Sequence, residues 1–316
     1  MKTKIKTKTK YRVRNWAEYN QALKQRGSLE LWLNADIADK WRAESSGKPG
    51  NQPVYSDYAI EIVIQFGKVF HQKLRQTEGL LEDIFKLMLF KLSVPDYSTV
   101  SRRGGKLKVA LFKQTGKKGE KKIVVIDSTG LKVYGEGEWK VKMHGQAKRR
   151  TWRKVHLGIG PNGEIQAAKL TLNSVADCEA AADLLNQIES EIDTVAGDGG
   201  YDKETVYQSL GDRRVRHVLI PPQKNAKIKL HGNLKSEPHK RDENLRRIRK
   251  IGRKKWKEKS GYHVRSLIEA TTFRLKTILG GQLNARKLEN QITESLISCN
   301  ILNRMATLGM PDSYAV

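Results

Sequence analysis

Apolar residues recur along this chain in two different rhythms. Over residues 55–92 they fall at helical spacing. Ala59, Ile60, Val63, Ile64 and residues 66–69 make one stripe, and Leu80, Leu81, Ile84, Phe85, Leu87 and Met88 make a second. Lys73-Leu74-Arg75-Gln76-Thr77-Glu78 reads as the entry of the second helix. A short third helix is expected after Pro95, capped by Asp96 or Ser98 and ending at Arg102-Arg103-Gly104-Gly105. Two helices, a turn and a third helix closing on adjacent arginines outline a helix-turn-helix. Tyr97, Ser98, Ser101, Arg102 and Arg103 are its candidates for contact with a DNA groove, and an all-helical packing domain fits the same pattern.

A polar, Lys-rich stretch follows, and then the rhythm changes. Ile123-Val124-Val125-Ile126 is a continuous β-branched run ending in Asp127, as expected of a central strand buried on both faces. Residues 152–159 and 164–172 flank Gly160-Pro161-Asn162-Gly163 and predict a β-hairpin. A helix is expected over 176–188, with Ala180, Ala181, Leu184, Leu185 and Ile188 on one face. Strands over 192–196 and 217–220 bracket a helix over 203–210, and 260–279 is a well-patterned helix with helical spacing beyond it. Three strands, helix, strand, helix, strand is an α/β order. It divides the chain into a basic arm and lead-in (1–54), a helical DNA-binding domain (55–105) and a connector (106–122). An α/β domain (123–300) with an insertion over 223–259 and a C-terminal tail (301–316) complete it.

Charge sharpens this outline. Sixty Lys and Arg against 34 Asp and Glu leave a net +26 on 316 residues, and 38% hydrophobic residues are too many for a disordered tail. Nucleic acid, an anionic membrane face or acidic proteins are the partners such a surplus suits. The surplus is clustered. Residues 1–16 hold seven Lys or Arg and no acid, which reads as a flexible arm, and residues 223–259 hold 15 Lys or Arg against 4 acids. That second stretch has few apolar residues, so it reads as a solvated excursion or a polyanion contact. No apolar run is long enough for a membrane span, the start lacks a secretory signal, and Cys178 and Cys299 are the only cysteines. A reducing cytoplasmic setting is the expectation.

Three acids stand out against this background. Asp127 ends an apolar strand, and Asp198 ends another and is followed by two glycines that let the backbone turn away. Both stand at the carboxyl ends of strands, where ligands of α/β sheets collect. Glu269 lies on the helix over 260–279. There Tyr262, Arg265, Glu269 and Lys276 fall within about 60° of one another, opposite Leu267, Ile268, Thr271, Leu275 and Ile278. Arg265 and Glu269 also have the spacing of a helical ion pair. Three convergent carboxylates repel one another without a cation, and oxygen-only ligands suit Mg²⁺ or Mn²⁺. Two such ions about 4 Å apart serve phosphodiester displacement.

Other side chains have plainer readings. Ser128 and Thr129 suit turn or cap roles, since no Ser-His-Asp spacing accompanies them, and His144 and His156 read as surface or satisfied histidines. Lys148, Arg149, Arg150, Arg153 and Lys154 follow the first Asp closely and are expected along a DNA channel, and Trp256 is expected to pack beneath its own loop.

Asp127 in IDSTGLKVYGEGEWK, Asp198 in DTVAGDGGYD and Glu269 in YHVRSLIEATTFRLK resemble the acidic triad of bacterial DDE insertion-sequence transposases, above all the insertion-sequence-five group. The spacing Tyr262-x₂-Arg265-x₃-Glu269-x₆-Lys276 matches the signature around the third acid. YSDYAIEIVIQF, LRQTEGLL, VPDYSTVSRR, RTWRKVHLG, IPPQKNA and LNRMATLGMPDS extend the resemblance from Tyr55 to Asp312. It implies a ribonuclease-H-like mixed-sheet domain in which Asp127, Asp198 and Glu269 hold two Mg²⁺ (or Mn²⁺). It also implies cleavage at the element's inverted-repeat ends and joining of their 3′-hydroxyls to target DNA. Tyr262, Arg265 and Lys276 would then meet the DNA strand, in a homodimer or larger assembly on double-stranded DNA at the nucleoid. A nuclease without strand transfer, or a catalytically silent DNA-binding regulator, would share much of this sequence.

Overall fold

The computed structural model describes residues 10–34, 36–45, 47, 49–50, 52–112, 122–133, 152–229 and 239–316. His144, Lys148, Arg149 and Arg150 lie outside them, as do most of the expected connector and the first nine residues of the arm. The remainder of the arm and lead-in is organised. Tyr11–Val13 forms strand β1, followed by helices α1 (Trp16–Gln25), α2 (Leu29–Trp32) and α3 (Ile37–Trp41). Two buried indoles explain the order. Trp32 Nε1 donates to the carbonyl of Arg26 at 2.9 Å and Trp41 Nε1 to that of Ser93 at 2.7 Å, so each ring is buried with its one donor satisfied.

The helical stripes over 55–92 fold as α4 (Asp57–Val69) and α5 (Leu74–Leu87), and the short third helix is α6 (Tyr97–Gly104). Ser56 Oγ caps α4 by accepting from the Ala59 amide at 3.0 Å. Asp96 caps α6, accepting from the amides of Ser98 and Thr99. Hydroxyl donation from Ser98 and Thr99 onto the same carboxylate holds its pKa well below the usual range. Only residues 70–73 separate α4 from α5, whereas 88–96 separate α5 from α6. The tight turn of this trio therefore lies between its first two helices.

The β-branched run becomes β2 (Ile123–Val133), and the expected hairpin is β3 (Trp152–Ile159) and β4 (Ile165–Leu172). Helix α7 (Asp177–Asn186), strand β5 (Thr194–Ala196), helix α8 (Glu204–Asp212) and strand β6 (His217–Leu219) follow. The strands order as β4-β3-β2-β5-β6, with β2, β3 and β4 antiparallel and β5 and β6 parallel to β2. This mixed sheet agrees with the α/β element order and with the ribonuclease-H-like domain that the family resemblance implies. One face, with Val124 and Ile126, packs on α7 through Ala181, Leu184 and Leu185. The opposite face, with Val125 and Leu131, meets the chain's last two long helices.

The basic stretch, which reads from its composition as a solvated excursion or a polyanion contact, carries helices of its own. Its described part folds as α9 (Lys240–Ile251) and α10 (Arg253–Lys259), anchored by buried Leu245 and Trp256. A 3-10 turn, Tyr262–Arg265, leads into α11 (Ser266–Leu279). Strand β7 (Gln282–Leu283), helix α12 (Leu288–Thr307) and strand β8 (Ser313–Ala315) end the chain. Helix α12 thus runs straight through residues 300 and 301, and β8 pairs antiparallel with β1, Tyr11 opposite Ala315. Among the described residues no helix is long and apolar enough to cross a membrane.

One hydrophobic core runs from Trp32 and Phe66 through Val125 and Leu157 to Ile297 and Met305, so the helical region and the sheet are packed as one body. A buried ion pair spans the same seam: Lys68 Nζ on α4 lies 2.9 Å from Glu294 Oε1 on α12. Glu294 also accepts from the amides of Asn284 and Ala285, which leaves neither charge uncompensated. At the end of α6, a side-chain carbon on Gly105 would stand 3.0 Å from Glu289 Cβ and 2.6 Å from Asn290 Oδ1, and Asn290 is itself bonded to the Ser101 carbonyl. Gly105→Ala should therefore push α6 off α12 and lower stability by about 1–3 kcal/mol, read as a lower urea midpoint. An unchanged midpoint would show that the seam is looser than its distances imply.

Candidate active site

Parallel pairing decides where the two aspartates stand. Strands β2 and β5 match Ile123 to Thr194, Val124 to Val195 and Val125 to Ala196. Asp127 and Asp198 each come two residues after the last matched pair, so they start level with one another where β5 ends. On the same edge β2 next pairs with β7, at Lys132 and Val133. Among the described residues no strand pairs with 126–131 on that edge, which leaves a notch in the sheet at Asp127. Side chains alternate along a strand, so Asp127 shares the face of Val125, towards α11 and α12.

Each acid is oriented locally. Asp127 Oδ1 accepts from the Ser128 amide at 2.8 Å, which gives Ser128 a backbone role beside the acid. Asp198 Oδ1 accepts from the Gly200 amide at 2.8 Å and caps the 3-10 turn Gly199–Tyr201. A side chain at Gly200 would sit 2.9 Å from that same oxygen, so the glycine expected to turn the chain also makes room for the carboxylate. Beneath them Tyr201 is fully buried. Burial first, and then the fields of Asp127, Asp177 and Asp198, drive its phenol pKa upward and keep it neutral.

Glu269 lies in the first turn of α11 and reaches Asp127 through Arg265. Arg265 Nη2 donates to Asp127 Oδ2 at 2.9 Å, while Nη1 lies 3.4 Å from Glu269 Oε1. Burial works against the guanidinium's charge, but the hydrogen bond to Asp127 and the nearby carboxylates outweigh it and raise its pKa. The i, i+4 pair read from the sequence is thus present, with a second and shorter contact added to it. The helix itself starts later than its pattern predicts. Gly261, at φ +78°, interrupts it, and Tyr262 falls in a 3-10 turn that carries its ring inward. That ring is 8% exposed, with its centroid 5.8 Å from the Trp256 ring and 5.1 Å from Lys257 Nζ. Lys276 stays exposed on α11, two turns beyond Glu269.

The donor set suits a hard divalent ion: carboxylate oxygens only, with a positive charge already held between Asp127 and Glu269 by Arg265. Among the described residues, no three His, Cys, Asp or Glu side chains lie together closely enough to share an ion as they stand.

Several basic residues have internal partners. Arg103 pairs with Asp57 at 2.6 Å and also donates to the Tyr55 carbonyl, whereas Arg102 donates to Thr99 at 3.1 Å. Tyr97 accepts from Arg75 at 3.0 Å. Arg153 donates to Gln291 at 2.9 Å and Lys154 to the Val175 carbonyl at 2.9 Å, so both have partners within the fold.

Two groups near the site carry roles that the sequence did not display. Asp202, four residues after Asp198, has a side chain only 1% exposed. It accepts from Arg241 Nε at 2.8 Å, the Tyr207 hydroxyl at 3.2 Å and the Gln223 amide at 2.9 Å, and so ties α8 and α9 to the Asp198 turn. In sequence it is one more acid and Arg241 one more base, and only the fold brings them together. Asp202→Ala should strand Arg241 and cost about 3–5 kcal/mol, measured by urea denaturation; a loss under about 1 kcal/mol would mean an exposed, minor pair.

His156 is buried, with Nε2 2.8 Å from Thr171 Oγ1 and Nδ1 3.8 Å from Asp177. Burial lowers its pKa, against the pull of Asp177. The unfolded chain protonates this ring near pH 6.5 and the folded one only at lower pH. Its contribution is therefore complete above about 6.5 and is lost as the pH falls below it. Between about pH 7 and pH 5 the wild-type unfolding free energy should drop more than that of His156→Gln. Equal slopes would remove His156 from the acid response.

Two family models, each described as "Transposase DDE domain", match the chain, one over residues 24–136 and the other over residues 118–304. The first takes in α4, α5, α6 and Asp127. The second covers more than half of the 316 residues, with Asp127, Asp198 and Glu269 all inside it. With a ribonuclease-H-like sheet that sets Asp127 and Asp198 level, and with Glu269 joined to Asp127 through Arg265, the chain belongs to the DDE transposase family.

Proposed function

We propose that this transposase binds the terminal inverted repeats of an insertion sequence of the insertion-sequence-five group, cuts the DNA at those ends and joins the freed 3′-hydroxyls to target DNA. The level placement of Asp127 and Asp198 at the β2–β5 notch, with Glu269 linked to Asp127 through Arg265, supports this reading. These three carboxylates would hold two Mg²⁺ (or Mn²⁺). Bound there, the ions supply charge stabilisation to the attacking and leaving oxygens of phosphodiester displacement. The chain's own backbone keeps the carboxylates aimed: the Ser128 and Gly200 amides each donate to one oxygen, and Tyr201 stays neutral behind them.

Positioning of DNA falls to the basic surface. Arg247, Arg249, Lys250, Lys254, Lys255, Lys257 and Lys259 are exposed on α9 and α10, on the segment that Asp202 and Arg241 pin to the catalytic turn. Lys276 offers a further exposed cation, and Arg265 offers a phosphate-matching fork. Lys148, Arg149 and Arg150, outside the described residues, are further candidates for DNA contact by their charge. On the helical region Arg102 is the more exposed of the two arginines and the first candidate for end recognition, since Arg103 is held by Asp57. Holding two ends at once calls for a homodimer or larger assembly on double-stranded DNA.

Asp127→Asn should lower Mg²⁺-dependent cleavage of a plasmid bearing the element's ends by at least about a hundredfold, equivalent to about 2.7 kcal/mol of barrier. Gel-shift affinity for the same ends should persist and fall linearly with log salt. Cleavage that survives Asp127→Asn counts against the triad. Wild-type protein that binds the ends but neither nicks nor joins them counts against the enzyme. Nicking without joining leaves the simpler nuclease.

A further inference from the structure

Arg265 occupies the space into which Asp127 and Glu269 would otherwise draw a shared cation. Its Nη2 is 2.9 Å from Asp127 Oδ2, its Nη1 is 3.4 Å from Glu269 Oε1, and its Nε is buried with no hydrogen-bond partner among the described residues. The side chain rises from the 3-10 turn whose other end, Tyr262, is buried against Trp256, so its root is fixed while the guanidinium is about a quarter exposed. A divalent ion takes carboxylate oxygens at about 2.0–2.6 Å. An ion on Oδ2 of Asp127 would therefore compete with Nη2 for the same oxygen and repel the whole group. A guanidinium fork fits phosphate as well as carboxylate, and the exposed cations of α9 and α10 would bring phosphate near.

We propose that Arg265 is an internal counter-ion that holds Asp127 and Glu269 in the DNA-free protein, and that it yields them to divalent metal when a DNA phosphate takes the guanidinium. This rests on the DDE reading of the site. It makes Arg265 a positioning residue before DNA arrives and a phosphate ligand afterwards. Such coupling is reciprocal: the factor by which DNA raises metal affinity is the factor by which metal raises DNA affinity. Metal loading is then tied to the presence of substrate, and a DNA-free molecule stays poorly charged for strand cleavage.

The test is Mn²⁺ affinity of the full-length chain, measured by loss of the free-ion electron paramagnetic signal, with and without excess duplex of arbitrary sequence. Arg265→Gln should bind Mn²⁺ at least about tenfold more tightly than wild type without DNA. Duplex should raise wild-type affinity by about tenfold, within the usual span of such couplings, and leave the variant unchanged. Arg265→Lys keeps a charge without the fork and should fall between the two. It also serves should the Gln variant fold poorly. If neither variant gains affinity over DNA-free wild type, the counter-ion role is overturned. Asp127→Asn separates the two levels. Loss of Mn²⁺ in that variant, without a gain in the arginine variants, sinks only the counter-ion. Mn²⁺ binding equal to wild type in Asp127→Asn, or no Mn²⁺ uptake by any protein with or without DNA, sinks the metal site and the counter-ion together.

Discussion

Strand β2 changes character halfway along, and the site exists because it does. Through Ile126 it is closed on both faces, by α7 on one side and by α11 and α12 on the other. A strand so placed must have its backbone groups paired on both edges, because water cannot reach them. Strand β3 supplies one edge along nearly the whole length, whereas β5 supplies the other only as far as Val125. Where β5 stops, burial relaxes and polar side chains begin with Asp127. The notch before β7 is thus a consequence of unequal strand lengths, and the same inequality leaves Asp198 at its rim.

Electrostatics then sets the state of that rim. A molecule with a net charge of +26 keeps a small group of acids by giving them cations of its own. Arg265 serves Asp127 and Glu269, and Arg241 serves Asp202. The two arrangements differ in exposure and so in consequence. The Asp202 pair is shut away with every acceptor site engaged and acts as a fixed joint between the basic helices and the catalytic turn. The Arg265 pair is open to solvent on one side, where an exchange of partners is cheap.

Much of the catalytic half was legible along the chain. The β-branched run before Asp127, the turn cluster at 160–163 and the glycines after Asp198 are local signals with local causes, and the elements formed where those signals stood. Composition did not display the helices of the basic stretch: Leu245 and Trp256 are few, but two buried anchors suffice for two short helices. Tyr262 was placed on a helical face by counting, and a left-handed glycine next to it broke the count. The lead-in and tail looked loose because each supplies one strand of a pair, and neither strand is recognisable without the other.

By itself, then, the amino-acid sequence determined the order of the elements from Tyr55 to Ile220, singled out three acids and marked the family, since these depend on spacing and residue type. Tertiary structure alone decided which charges meet. Strand register brought Asp127 level with Asp198. Helix packing put Arg265 between Asp127 and Glu269, and also set Arg241 on Asp202 and Lys68 on Glu294. Each of the last two pairs joins residues far apart in the chain, and a charge shows no preference for a distant partner until the low-dielectric interior leaves it only one.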